Sequence, residues 1–278
     1  MIKADLHLHS YYSDGSDSPK ELVKKIQDVG IEIFALTDHD TVEGTSETEK
    51  LVPNSIKFIK GVELTCKLKD IKCHILGYGI DINNKELTDL IEYGKILRRK
   101  KLEARIEYLK NVWNINLTED ELNWLYSRKS VVKTHIANIL VSRGLSDNNV
   151  DAMKKYLDGC KSDDTKFDGI EAVKIIKKSG GIPVWAHPLG GEGEEHISKE
   201  KFLFQLNIMK KYGIEGLECY YSRYSKEEIE FLTTQAKIKN LLISAGSDYH
   251  GSNKTVELGC IGIDMVNSSE ITILNRFL

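Results

Sequence analysis

The chain has 278 residues, of which 41% are hydrophobic and 29% are charged, and its formal net charge is −3. This balance is ordinary for a globular protein and excludes disorder or a fibrous structure as the main state of the chain. A nearly neutral chain is also not expected to bind nucleic acid through a broad electrostatic surface. The length suits one large domain, or one domain that carries an insertion.

Hydropathy and cysteine content predict a cytoplasmic protein. No apolar run is long enough to cross a membrane as a helix. The N-terminus lacks the apolar core and cleavage site of a signal peptide, so secretion is not expected. The five cysteines are odd in number and form no CxxC pair, which argues against a disulfide framework and against a zinc knuckle.

The first part of the chain alternates between predicted strands and helices. Residues 2–9 alternate apolar and polar side chains, which predicts a strand. A capping box with proline at positions 18–21 starts a helix that runs to about residue 30. Residues 31–37 form a nearly continuous apolar run, typical of a strand covered on both faces. The other elements predicted here are a short helix over 42–51 and strands over 56–64 and 71–80, a rhythm that favours parallel β/α units.

The rhythm breaks near residue 83, where a helical segment is predicted to begin. Residues 85–157 show little strand character and include a second capping box at positions 118–121. The charge run Arg98-Arg99-Lys100-Lys101 within this segment is interpreted as a solvated helix face; the alternative is that it supplies cations to a phosphate group. We therefore predict a barrel in two parts, residues 1–83 and 168–278, interrupted by a helical insertion over 84–167.

The β/α rhythm resumes near residue 169. Predicted helices cover 170–179, 199–212 and 226–239, and a short helix is expected at the C-terminus. Predicted strands cover 182–186, 214–220, 241–245 and 259–263. Repeated β/α units around one insertion predict an α/β fold, a barrel of about seven strands.

Six of the eight histidines fall at or just beyond predicted strand ends, where catalytic groups gather in β/α barrels. In Asp5-Leu6-His7-Leu8-His9, the two-residue period of a strand places both imidazoles on one face. Asp14, Glu63 and Asp248 lie at comparable positions. The alternative, six unrelated buried histidines, would require a separate set of hydrogen bonds for each imidazole, so a metal site is favoured. The six histidines are His7, His9, His39, His74, His187 and His250.

Five motifs in order resemble the successive motifs of the PHP (polymerase and histidinol phosphatase) family. They are Asp5-Leu6-His7-Leu8-His9, Thr37-Asp38-His39-Asp40, Gly61-Val62-Glu63, Ala186-His187-Pro188 and Ser247-Asp248-Tyr249-His250-Gly251. The resemblance implies a distorted (β/α)7 barrel with an α-helical insertion and a site for two or three divalent metal ions. A helical insertion after the third motif is similar to that of the family's nucleoside 3′,5′-bisphosphate phosphatases and 5′–3′ exonucleases.

The resemblance also implies which residues hold the ions. One ion would be held by His7, His9, Glu63 and Asp248; a second would share Glu63 and add His74 and His187; a third would be held by Asp14, His39 and His250. Mixed imidazole and carboxylate ligands suit manganese, iron or zinc. Asp5, Asp38 and Asp40 are expected either to orient the imidazoles or to cap loops.

The implied reaction is hydrolysis of a phosphate monoester by a hydroxide that bridges two ions. Asp248 and His250 are the predicted catalytic residues: Asp248 would orient the hydroxide, while the third ion or a histidine near it would steady the phosphate oxygens. Lys133, His135 and Arg223 are the predicted substrate contacts. Lys133-Thr134-His135-Ile136-Ala137 is similar to an Arg-Pro-His-Ile-Ala stretch of many relatives, with lysine in place of arginine; the alternative is that Lys133 is a solvated helix residue.

Three functions remain open from the sequence. The first is a phosphoesterase that acts on a nucleotide or a short oligonucleotide, and the second is a histidinol-phosphate phosphatase. The third is a non-catalytic metal-binding or regulatory module, which is expected to have lost ligands, whereas none of the nine ligand positions has been lost here. The expected partner is a small phosphorylated substrate, not a membrane; the oligomeric state is not predicted.

Overall fold

A computed structural model describes residues 3–161, 165–192, 194–262 and 268–278. The strands of these ranges are β1 (Ala4–Leu8), β2 (Ile33–Leu36), β3 (Lys57–Leu68), β4 (Ile71–Tyr78), β5 (Phe167–Asp168), β6 (Ile182–Trp185), β7 (Gly216–Tyr221) and β8 (Leu242–Gly246). The helices are α1 (Pro19–Asp28), α2 (Glu43–Glu49), α3 (Lys85–Trp113), α4 (Glu119–Ser127), α5 (Lys133–Ser142), α6 (Asn149–Tyr156), α7 (Gly169–Lys178), α8 (Lys199–Lys211) and α9 (Lys226–Ile238).

Seven of the strands form a nearly closed barrel in the order β1-β2-β3-β4-β6-β7-β8, and the two-residue β5 pairs with β3. The two ends of this sheet meet through backbone hydrogen bonds. The His9 N–H donates to the Tyr249 carbonyl at 3.0 Å, and the Asp248 N–H donates to the His7 carbonyl at 2.9 Å. The predicted α/β barrel of about seven strands is therefore confirmed.

The expectation of parallel units throughout is wrong at β4. This strand runs antiparallel to both of its neighbours, β3 and β6, while β1–β2–β3 and β6–β7–β8 are parallel. No helix separates β3 from β4: the chain reverses at Lys69 and Asp70, and Lys69 adopts a left-handed φ of 56°. A turn this short can join only antiparallel strands.

The prediction of a strand over 259–263 is also wrong for the four described residues of that range. Residues 259–262 lie outside any strand, and Ile263 lies outside the described residues. Left-handed φ angles of 81° at Gly259 and 87° at Gly262 turn the chain away from an extended path. The edge of β8 is already met by β1, so the barrel needs no further strand there. The predicted C-terminal helix is realised as two short 3₁₀ helices, Ser268–Glu270 and Thr272–Arg276.

Helix α3 joins the barrel to the helices that follow it. Its 29 residues span about 43 Å at 1.5 Å per residue. Near its start, Leu87, Ile91 and Leu97 pack into the main core of the barrel. Farther along, Leu102 and Leu109 join a separate apolar cluster with residues of α4, α5 and α6. This second core holds the four helices together, while the boundaries at residues 84 and 167 stay predictions.

Among the described residues, none of the helices has both the length and the apolar character that spanning a membrane requires.

We expect Leu109→Ala to lower the free energy of unfolding by about 2–5 kcal/mol, because Leu109 is fully buried in the second cluster and its loss leaves a cavity. Ile96→Ala is the matched control: Ile96 lies on the same helix but is 55% exposed, and its effect should stay within about 0.5 kcal/mol. Urea denaturation followed by circular dichroism measures both changes. Equal effects in the two variants would contradict the second core.

Candidate metal centre

The nine predicted ligand residues come together at one end of the barrel. His7 lies on β1, His9 follows it, and the Leu6 and Leu8 side chains that alternate with them are buried in apolar clusters. His39 follows β2, Glu63 lies within β3, and His74 lies on β4, opposite Thr65 of β3. His187 follows β6, and Asp248 and His250 follow β8. The end of the strands thus carries the site, as the β/α rhythm predicts.

The carboxylate of Glu63 is fully buried and faces five imidazoles. Burial alone would raise the pKa of Glu63, but the nearby His39, His7 and His74 outweigh it and hold this pKa well below its usual range. Glu63 Oε2 lies 3.2 Å from His7 Nε2, 3.1 Å from His9 Nε2 and 3.0 Å from His39 Nδ1, and Oε1 lies 3.0 Å from His74 Nδ1 and 3.2 Å from His187 Nε2.

Two aspartates complete the cluster on either side of Glu63. Asp248 Oδ1 lies 3.3 Å from His9 Nε2 and 3.6 Å from His7 Nε2. Asp14 Oδ1 lies 3.1 Å from His250 Nε2 and 3.7 Å from His9 Nδ1. Burial opposes ionisation of both aspartates, but the surrounding cations and imidazoles hold the pKa of each well below its usual range. Both carboxylates are therefore anionic at neutral pH.

Several buried ligand atoms of this cluster have no hydrogen-bond partner in the described part of the chain. Buried polar atoms normally have partners, so a group of them aimed at one another fits bound cations. Their donor types, imidazole nitrogen and carboxylate oxygen, suit divalent transition metals. The atoms are His7 Nε2, His9 Nε2, Asp14 Oδ1, His39 Nδ1, Glu63 Oε2 and His250 Nε2.

Subsets of these residues offer ligand atoms that all lie within 4.8 Å of one another. His7, His9 and Glu63 form one subset, which lies within the set implied for the first ion. The quartet His9, Asp14, His39 and His250 contains the set implied for the third ion but adds His9, and the subset His39, Glu63 and His74 matches none of the implied sets. A fourth subset pairs His74 and His187 with Glu194, which was not predicted. The geometry suggests divalent metal binding, while the number of ions and the assignment of each ligand stay predictions.

Sequence reasoning missed Glu218, a fully buried carboxylate on β7. Its Oε1 lies 2.8 Å from His7 Nδ1, and its Oε2 accepts the backbone N–H of His187 at 2.7 Å. A carboxylate at Nδ1 fixes the proton there and leaves the lone pair of His7 Nε2 available to bind a cation. The available signal was a carboxylate between Leu217 and Cys219 in an otherwise apolar strand.

Tyr221 and Lys254 were also missed as contacts of Asp248. The Tyr221 hydroxyl donates to Asp248 Oδ2 at 3.0 Å, and the Lys254 ammonium donates to the same oxygen at 2.7 Å. These two donors occupy Oδ2 and leave Oδ1 facing His7 and His9. No pattern in the sequence marks Tyr221 or Lys254 as a contact of Asp248.

Asp5, Asp38 and Asp40 hold loops in place rather than contacting the imidazoles through their carboxylates. This favours loop capping, one of the two interpretations that the sequence left open, because each carboxylate accepts from backbone N–H groups, hydroxyls or a guanidinium. The donors are the N–H and hydroxyl of Ser247 for Asp5, the hydroxyls of Ser10 and Ser13 for Asp38, and the Thr65 N–H and Arg98 guanidinium for Asp40.

A cavity of about 670 Å³ opens beside the cluster. His39, Glu63 and Asp248 line one side of it, and α3, α6 and residues 131–134 line the other. Arg98 and Lys101 of the charge run are half-buried and line this cavity, which favours the alternative that they supply cations to a phosphate group.

The three predicted substrate contacts lie at different places around the cavity. Lys133 lines it and forms an ion pair with Asp158. His135 is buried behind the cavity wall, where its Nδ1 accepts the Val132 N–H at 3.0 Å; burial and the nearby Arg128 lower the pKa of His135 to about 4. Arg223 is exposed and pairs with Glu192, which lines the cavity. Contact of these residues with substrate stays a prediction.

Taken together, the barrel and its cluster of imidazoles and carboxylates define a candidate metal-dependent hydrolase. The model of the PHP domain matches residues 5–165 of the chain, which is more than half of its length. The chain therefore belongs to the PHP domain family.

Known proteins resemble the chain along nearly its whole length. It is 32% identical over 271 residues to a 5′-3′ exoribonuclease of Haemophilus influenzae, covering 96% of each chain. It is 26% identical to a 3′,5′-nucleoside bisphosphate phosphatase of Chromobacterium violaceum, covering 90% of this chain and 88% of the relative. A solved structure from Bifidobacterium adolescentis, described as a candidate metal-dependent phosphoesterase, superposes with a TM-score of 0.84 at 25% identity, covering 99% of this chain and 96% of that one. These relatives are named as hydrolytic phosphoesterases, which supports an enzyme of that class.

We expect Glu218→Gln to weaken Mn²⁺ binding roughly 10–100-fold, because the variant keeps the shape of the side chain but loses the carboxylate that orients His7. Glu227→Gln, at an exposed position of α9, is the control and should bind Mn²⁺ as the parent protein does. Isothermal titration calorimetry of the chelator-treated proteins measures the affinities. An unchanged affinity in Glu218→Gln would show that this carboxylate does not support the centre.

Proposed function

We propose that the protein is a metal-dependent phosphoesterase that hydrolyses phosphate monoesters of nucleotides, such as a nucleoside 3′,5′-bisphosphate, or the ends of short oligonucleotides. One observation carries the proposal: the Glu63 carboxylate is surrounded by five imidazoles whose ligand atoms lie 3.0–3.2 Å away, and several of these atoms lack other partners. Such a centre is suited to holding two or more ions at one end of a substrate-sized cavity.

Bound divalent ions would supply a water of lowered pKa as nucleophile and would neutralise charge on the phosphate oxygens. The side chains of the protein would fix the geometry. Glu218 orients His7, and Tyr221 with Lys254 holds Asp248 so that Oδ1 faces the centre. The Lys254 ammonium lines the cavity beside Asp248 and is placed to contact a phosphate oxygen directly.

Two further considerations support a nucleotide as the substrate. The named relatives act on RNA ends or on nucleoside bisphosphates, and both cover about nine-tenths or more of this chain. The cavity also offers cations from α3 and Lys133 opposite the cluster, as a polyanionic substrate requires. A histidinol-phosphate phosphatase has no comparable support. A non-catalytic module is disfavoured because all nine ligand positions converge.

We expect the protein loaded with Mn²⁺ to release phosphate from adenosine 3′,5′-bisphosphate faster than from AMP or histidinol phosphate. Short RNA should be tested in parallel for release of mononucleotides. Treatment with a chelator should abolish turnover, and added Mn²⁺ should restore it, because the centre depends on its ions. Absence of turnover with every substrate, after both aerobic and anaerobic loading with Mn²⁺, Fe²⁺ or Zn²⁺, would refute the proposed activity.

Substitutions at two ligand positions provide a second test. We expect His39→Ala and Asp248→Ala each to lower turnover by roughly 100-fold or more while the circular dichroism spectrum stays unchanged. His196→Ala is the control, because His196 is exposed and pairs with Glu228 away from the cluster. Full activity of either ligand variant would contradict the site as described.

A further inference from the structure

A second cavity, of about 430 Å³, lies beside the imidazole cluster between β4, the loop after β6 and α8. Three residues line both this second cavity and the first one, of about 670 Å³: His74, His187 and Glu194. They are the same three residues whose ligand atoms lie within 4.8 Å of one another. The two cavities therefore adjoin one edge of the metal centre, and Glu194 lies between them.

The two cavities differ in the charge that a cation would meet on its way to the centre. Apart from the predicted ligands, the described residues that line the first cavity include seven lysines and arginines but only three carboxylates. The described residues that line the second cavity include three carboxylates, Asp70, Glu194 and Glu195, and two lysines, Lys72 and Lys201. Repulsion between like charges is strong beside a low-dielectric wall, so the second cavity is the more favourable route for a divalent cation.

Glu194 holds the histidine at the inner end of the second cavity. Its Oε2 lies 3.3 Å from His187 Nδ1 and accepts the Gly191 N–H at 2.9 Å. The other ring nitrogen of His187, Nε2, lies 3.2 Å from Glu63 Oε1 and so faces the centre. A carboxylate at Nδ1 keeps the proton there and orients the ring, which leaves the lone pair of Nε2 available to bind a cation.

The His187 side of the centre is also the side that water reaches most easily. Glu218 has the same relation to His7 as Glu194 has to His187, but the Glu218 side chain is fully buried, whereas that of Glu194 is 45% exposed. Water can replace a hydrogen bond of a half-exposed carboxylate at little cost in free energy. Of the six imidazoles, that of His74 is the most exposed, at 22%. The arrangement of ligands therefore opens most readily at His74 and His187.

We propose that a divalent cation enters and leaves the centre through the second cavity, on the side formed by His74 and His187, and that Glu194 is the positioning residue of His187. The inference rests on the proposed metal centre and goes beyond the proposed reaction, because it concerns how the centre gains and loses an ion. The ligand of the second cavity is a hydrated divalent transition-metal ion. Such an ion reaches the imidazoles without passing the cations of the first cavity.

Removal of Glu194 tests its positioning role. Glu194→Ala is expected to weaken the binding of the most weakly held Co²⁺ ion roughly 10-fold and to change the visible absorption of bound Co²⁺, which depends on ligand geometry. Glu194→Gln keeps an acceptor oxygen for His187 Nδ1 and should recover part of the loss. Glu195→Ala is the matched control, because the neighbouring Glu195 side chain is 86% exposed. An affinity and a spectrum in Glu194→Ala equal to those of the parent protein would overturn the positioning role.

Bulky substitutions in the second cavity test the route. Gln205 of α8 lines this cavity, and Gln205→Trp is expected to make chelator-driven loss of bound Co²⁺ roughly tenfold slower at unchanged equilibrium affinity. Lys201→Trp, at an exposed position that also lines the cavity, is a second blocking variant. Phe204→Trp is the control, because Phe204 is the 69% exposed neighbour on the same helix. Loss of Co²⁺ from both blocking variants at the rate of the parent would refute the route.

The outcomes separate this inference from the proposed function. Slower release in the blocking variants together with weaker binding in Glu194→Ala supports the inference, whichever ester is hydrolysed. If Co²⁺ binds and exchanges in this way but no phosphate ester is hydrolysed, the proposed reaction fails and the route stands. Unchanged release and affinity in all variants would refute the inference and leave the phosphoesterase intact. A parent protein that binds no divalent cation would overturn the inference together with the centre.

Discussion

The buried carboxylate of Glu63 sets the main physical constraint on this molecule. A charge with no access to water is strongly unfavourable unless opposite charge and hydrogen-bonding groups surround it. Five imidazoles from β1, β4 and the loops after β1, β2 and β6 provide those surroundings, each within 3.2 Å of a Glu63 oxygen. The strand ends must therefore meet at one end of the barrel with little variation in their relative positions. The carboxylates of Glu218, Asp5 and Asp38 fix the strand and the loops that carry these imidazoles.

The sequence was sufficient to predict which imidazoles and carboxylates gather at one end of the barrel, because barrel topology brings strand ends together whatever the exact register. His7 and His9 are recognisable from the two-residue period of a strand, and Asp248 and His250 from their place after an apolar run. Glu218, Tyr221 and Lys254 were not recognised because their roles depend on which side chain lies opposite them in the folded state. The direction of β4 was missed for a related reason. The hydropathy pattern of a strand does not specify the direction in which the strand runs, and only the two-residue turn at Lys69 and Asp70 shows that β4 reverses.

Which residues of α3 face the cavity depends on the folded state in the same way. A run of arginines and lysines on a helix is usually solvated, and nothing local distinguishes such a run from one that lines a pocket. The outcome depends on α5 and α6, which pack against the far part of α3 through the second apolar cluster. The net charge of −3 likewise conceals an uneven distribution of charge within the cavity. Glu63 and Asp248 lie among the imidazoles, whereas Arg98, Lys101 and Lys133 line the cavity together with Asp158.

The closure of the barrel between β1 and β8 has a consequence for how the protein assembles. Glu63 and His74 lie on one hairpin and can approach each other early in folding, because hairpin contacts are local in the chain. His7 and Asp248 come from opposite ends of the chain and meet only when the His9–Tyr249 and Asp248–His7 backbone bonds form. Completion of the centre therefore requires closure of the barrel. Ions that bind the complete centre more tightly would also stabilise the contact between β1 and the segment after β8. A nascent chain that lacks β8 and the residues after it would hold only part of the site.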